Sequence, residues 1–130
     1  MNTRRYRTVT AGYALVILAV SAIPGQTLHG LVFGWDKAFH FMEYALLGGL
    51  LVKSLSRLDA GRVLATGFAG MIFGAVDESW QGMVSQRNAS FYDWVADAAG
   101  IVMGIVLVVL FAARARSTEA SREESGVKEQ

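Results

Sequence analysis

Residues 9–23, VTAGYALVILAVSAI, form a mostly apolar run inside a longer stretch, 8–35, that carries no Lys, Arg, Asp or Glu. The run ends at Pro24-Gly25, and a short basic segment with Arg4, Arg5 and Arg7 precedes it. A membrane-spanning helix needs roughly 20 predominantly apolar residues. This first segment meets that requirement without taking in a charge. Three more apolar segments follow, at 38–52, 63–76 and 94–113. The second and fourth reach spanning length only by including His40 with Glu43, and Asp97; the third does so by running on through Asp77 and Glu78.

A soluble bundle would show a polar face on each surface helix, whereas these segments are apolar nearly all round. The expected fold is therefore all-α, an integral membrane bundle of four transmembrane helices. Composition agrees: 53% of residues are hydrophobic and 18% charged, in a chain of 130 residues with room for one domain. The expected organisation is a basic cytoplasmic N-terminus at 1–8, a membrane domain at 9–113 and a disordered tail, or frayed helix end, at 114–130. A competing reading treats the first segment as a signal peptide, with Ala19-Val20-Ser21 as a small-residue cleavage site. That would leave three spans with their orientation unchanged. Zero cysteines exclude a disulfide framework and any thiolate metal or redox centre. A net charge of +1, with no basic cluster interleaved with aromatics, gives no support for nucleic acid as a partner.

Basic residues orient the spans. With four spans and the N-terminus in the cytoplasm, Arg4, Arg5, Arg7, Lys53, Arg57, Arg62, Arg114, Arg116, Arg122 and Lys128 lie inside. Only Lys37 and Arg87 lie outside. Both termini are expected in the cytoplasm, and the chain in the bacterial cytoplasmic (inner) membrane as a multi-pass protein. Under this topology three polar patches fall at the outer end: Asp36, Lys37 and His40; Asp77, Glu78 and Gln81; Arg87, Asp93 and Asp97. Helical spacing sharpens the convergence. Asp36, His40 and Tyr44 recur every four residues and share a face, as do Asp77 and Gln81. Asp93, Asp97, Gly100 and Gly104 make a stripe that is polar above and small below. Gly67, Gly70 and Gly74 line one side of the third segment, and their face is expected to meet that of Gly100 and Gly104 within the bundle or between copies.

Asp36-Lys37-x-x-His40-Phe41-x-x-Tyr44-x-x-Leu47-Gly48, followed by Glu78-x-x-Gln81 and Arg87-x-x-Ser90-x-x-Asp93, resembles the VanZ-like family of small bacterial membrane proteins. The resemblance covers roughly residues 10–110. Two positions depart from the common pattern: Asp97 stands where Asn is usual, and Asp77-Glu78 where a single acid is more usual. The resemblance implies a multi-pass helical membrane protein, associated by family name with teicoplanin-type glycopeptide resistance. It implies no established reaction.

Ionisable groups within a span are costly and commonly face the bundle interior. The candidate ligand-binding set is Asp36, Lys37, His40, Tyr44, Glu78, Gln81, Arg87, Asp93 and Asp97, with Arg87 expected to pair with Glu78 or Asp93. Lys37, Arg87 and His40 suit an anionic lipid headgroup or phosphate. A His among carboxylates also suits acid–base work, with Glu78, His40 and Asp93 the candidates, or a divalent metal. No metal-ligand spacing, nucleophile elbow or phosphate-cradling loop is present, so no metal and no cofactor is assigned. The preferred reading is a binding or envelope-modulating protein whose partners are membrane lipids and a lipid-linked envelope ligand. A small membrane enzyme is one alternative. The other is a structural or assembly protein, with glycine faces serving helix packing or a homo-oligomer and the charges only joining helices.

The topology is tested by accessibility. Cys introduced at Gln26 or Asn88 should react with a membrane-impermeant reagent in intact cells, and Cys at Ser56 or Ser121 should not; protection at the first two positions overturns the shared outer end.

Overall fold

The structure, a computed structural model, describes residues 3–24, 35–84 and 90–128. Among these residues are four α-helices and no strand: α1 (Thr3–Ser21), α2 (Asp36–Lys53), α3 (Ala60–Met83) and α4 (Phe91–Lys128). Local chemistry explains the helix limits. Asp36 places a negative charge in the first turn of α2 and Lys53 a positive one in its last, both complementary to the helix dipole. Ser54 then closes α2, its hydroxyl donating to the Leu50 carbonyl at 2.8 Å. Asp59 caps α3 by accepting the Arg62 backbone N–H at 3.0 Å.

Side-chain contacts fix the helix order. Thr10 meets the Ser54 hydroxyl at 2.8 Å, so the start of α1 lies beside the end of α2. Ser21 meets Gln81 at 3.3 Å, which brings the ends of α1 and α3 together. Gly100 lies against Phe41 and Ala45, and Gly104 against Ala45 and Gly49, so α2 and α4 run parallel in direct contact. Consequently the starts of α2 and α4 and the ends of α1 and α3 share one end of the bundle.

The interior is small. Ile17, Tyr44, Leu47 and Ile101 are buried together, with Tyr13, Leu51, Phe73 and Ile105 packed against them. Outward faces carry large apolar side chains on every helix, among them Leu15, Leu46, Phe68 and Phe111, each more than half exposed. One helix, over Phe91–Arg122, is long and apolar enough to cross a membrane. In α2 the charges of Asp36, Lys37, Glu43 and Lys53 interrupt the apolar run, and α3 is interrupted by Asp77 and Glu78.

The stretch 114–128 is helical and continues α4 without a break. The hydroxyls of Ser117, Thr118, Ser121 and Ser125 each donate to the carbonyl four residues earlier in the same helix. One expectation needs correction: the two glycine faces do not meet each other within the bundle. A Cβ on Gly100 would overlap the Phe41 carbonyl, and one on Gly104 the Ala45 carbonyl; these glycines let α4 touch the backbone of α2. On α3, Gly67 instead receives the side chain of Ile105, Gly70 that of Ile101, and Gly74 those of Tyr44 and Asp97.

Space around each glycine therefore sets the expected cost of filling it. Gly100→Ala and Gly104→Ala should each destabilise the protein in detergent by about 1–3 kcal/mol through overpacking. Gly12→Ala, where nothing lies within 4 Å, should be tolerated. Equal thermal stability of all three variants would refute the backbone contact.

Candidate functional site

All four helices contribute side chains to the shared end of the bundle. In the deeper layer, Tyr44 of α2 donates its hydroxyl to Asp77 Oδ2 of α3 at 3.1 Å. Gln81, one turn along α3, donates Nε2 to the same oxygen at 3.1 Å and to Ser21 Oγ of α1 at 3.3 Å. Tyr44 and Asp77 are almost fully buried, so this layer joins three helices through a polar contact with little access to solvent. Trp94 of α4 adds a second link to α3, donating Nε1 to the Met71 carbonyl at 3.1 Å.

Nearer the end of the bundle, His40 Nδ1 lies 2.9 Å from Asp97 Oδ1. With Asp97 as a carboxylate, Nδ1–H donates and Nε2 keeps its lone pair. Glu78 Oε1 accepts the backbone N–H of Ser90, in the residue that leads into α4. Lys37 Nζ reaches Asp36 at 3.2 Å and Asp93 Oδ1 at 3.0 Å. The second contact is an ion pair across from α2 to α4. One donor atom from each of His40, Glu78 and Asp93 lies within 4.8 Å of the others.

The charge balance is uneven. Asp36 and Lys37 are exposed at the rim. Asp93, then Asp36, hold the Lys37 ammonium above its ordinary pKa. Slight burial works against the Asp36 carboxylate, but Lys37 outweighs it and holds the group below the usual carboxylate range. Inside, Asp77, Glu78, Asp97 and Gln81 are buried. Asp77 Oδ1, Glu78 Oε2 and Asp97 Oδ2 have no hydrogen-bond partner among the described residues. A buried polar group left in that state costs about 1–3 kcal/mol, and a charged one more.

His40, Tyr44, Glu78, Gln81, Asp93 and Asp97 therefore lie together. Asp36 does not join them; it stays at the rim with Lys37. Arg87, and its expected pairing with Glu78 or Asp93, lies outside the described residues. Among these, Lys37 is the cation on Asp93, while Ser90 supplies the donor to Glu78. Three participants were absent from the candidate set. Asp77 stood one helical turn before Gln81, which was a usable signal. Ser21 read only as part of a cleavage-like triplet, and Ser90 acts through its backbone, which no side-chain pattern reveals.

The family model for VanZ/LLP1 matches residues 2–112 of the chain. No curated protein and no solved structure matches it.

The deeper layer yields a measurable coupling. Tyr44→Phe removes one of the two side-chain donors on Asp77 Oδ2 and should destabilise by about 1–3 kcal/mol. The double variant with Asp77→Asn should cost less than the sum of the two single changes in a thermal-unfolding cycle. Tyr92→Phe, at an exposed position, should stay within about 0.5 kcal/mol. Additivity in the cycle would show that Tyr44 and Asp77 do not interact.

Proposed function

The chain belongs to the VanZ/LLP1 family, and from that premise we propose a four-span protein of the bacterial cytoplasmic membrane. Its outer polar site engages a lipid headgroup or a lipid-linked envelope ligand. Both termini face the cytoplasm, with residues 9–113 in the membrane domain and the helical tail beyond it. The apolar outward faces of all four helices support this setting, as does the gathering of Arg4, Arg5, Arg7, Arg57 and Arg62 at the opposite end from the site. A role in the cell envelope also fits the family's association with glycopeptide resistance.

One observation carries the ligand reading. Glu78 and Asp97 are buried at the outer end, each with a carboxylate oxygen that no described residue satisfies. Asp77 Oδ1 shares that state in the deeper layer, so the reading rests on Glu78 and Asp97 through their place nearer the end of the bundle, where an oxygen without a protein donor is open to one from a ligand. The polar part of a headgroup would meet the unmatched oxygens. A second reading, a small membrane enzyme with Glu78, His40 and Asp93 as acid–base groups, draws on the closeness of those three side chains.

The test is mass spectrometry of lipid retained by the protein after extraction into nanodiscs. Wild type should retain a headgroup class enriched over the bulk membrane, and Glu78→Gln should lose that enrichment while keeping its helical content. Chemical conversion of the enriched lipid by wild type alone would favour the enzyme. If Glu78→Gln alters thermal stability but not the retained lipid, the residue only packs helices and the ligand reading fails.

A further inference from the structure

We propose that His40, Glu78 and Asp93 hold a divalent transition-metal ion of the Zn2+ class where α2, α3 and α4 meet. Each helix supplies one donor atom, and the three lie within 4.8 Å of one another. Ligands at about 2.0–2.2 Å from a tetrahedral Zn2+ are about 3.5 Å apart, so modest rotamer adjustment closes the set. One imidazole with two carboxylates is a donor mixture suited to such ions.

Three observations make this more than a cluster of acids. Glu78 is only 6% exposed; its Oε1 is taken by the Ser90 N–H, while Oε2 has no partner among the described residues. That leaves Oε2 as the atom available to a ligand. Asp97, fully buried, meets His40 Nδ1 and so directs Nε2 away from itself as the free donor. This carboxylate–histidine arrangement commonly orients a metal-bound imidazole. Charge gives the third argument. Glu78, Asp93 and Asp97 face a single described ammonium, that of Lys37 on Asp93. Lys37 is shared with Asp36, so the acids outnumber the described cations, an excess that a divalent cation would reduce.

Asp97 is a positioning residue here, because it acts through His40. Three protein ligands leave a fourth position open on a tetrahedral ion. The inference deepens the reading above and rests on it for one point alone: the ion would give a carboxylate-rich site the positive charge that a phosphate-bearing headgroup requires.

The experiment uses the full chain, stripped with EDTA and held in phosphatidylcholine nanodiscs, titrated with Zn2+ and with Co2+. Wild type should take up one Zn2+ per chain, and Co2+ should give the visible absorption of a low-coordinate nitrogen–oxygen site that Zn2+ abolishes. His40→Gln, Glu78→Gln and Asp93→Asn should each weaken Zn2+ binding by at least ~10-fold, and Asp97→Asn by ~10–100-fold with an altered Co2+ spectrum. Glu119→Gln, on the exposed tail, should bind as wild type does. Failure of wild type to bind either ion overturns the proposal, and that measurement needs no variant to fold. Binding undiminished in His40→Gln, Glu78→Gln and Asp93→Asn also overturns it, since the ion is then adventitious. Zn2+ binding without enriched lipid would sink the headgroup reading and leave the metal site standing. Enriched lipid without Zn2+ or Co2+ binding would do the reverse.

Discussion

Contact between the backbones of α2 and α4 is the constraint on which the site depends. Gly100 and Gly104 have no side chains, so α4 seats directly on the carbonyls of Phe41 and Ala45. Small residues at a helix interface allow such close approach and the backbone packing that comes with it. Its effect is also positional. His40 immediately precedes Phe41, and Asp97 lies three residues before Gly100. The glycine contact therefore fixes the register in which His40 meets Asp97 at 2.9 Å. A larger residue at either glycine would move the acid away from the imidazole as well as loosen the pair of helices.

The polar residues then divide into two kinds. Tyr44, Gln81, Asp77 and Ser21 satisfy one another, leaving one Asp77 oxygen over, and they tie α1, α2 and α3 together. Their contacts have the character of interhelical joints, worth about 0.6–2 kcal/mol each. The group nearer the end is less balanced. Its carboxylates outnumber its described cations, and Glu78 and Asp97 keep oxygens unmatched. Burial without compensation is expensive, and it is the excess of carboxylates over described cations, more than the unmatched oxygens that Asp77 shares, that marks this group.

Much of this was legible along the chain. Apolar segments bounded by charges gave four helices, and four-residue spacing put His40 with Tyr44 and Asp93 with Asp97. What periodicity reports is the face of one helix, not the helix it opposes. Gly100 and Gly104 were thus recognisable as a close-packing face, but their partner, Phe41 and Ala45 with Gly49, followed only from the parallel placement of α2 and α4. The grouping of His40, Glu78 and Asp93 was hidden for the same reason: its members come from three helices, so no local spacing encodes it. The tail's polarity left a disordered segment and a helix end as alternatives; it continues α4 as helix, with Ser and Thr hydroxyls turned back onto carbonyls four residues earlier.

The continuity of α4 also sets its reach. At 38 residues it is about 57 Å long, roughly twice the 18-residue α2 and well beyond a hydrocarbon core of about 30 Å. Residues 114–122, in the turns that follow, are exposed. The helix thereby carries its polar end about 36 Å beyond the glycine seat at Gly104, well clear of the carboxylates at its start.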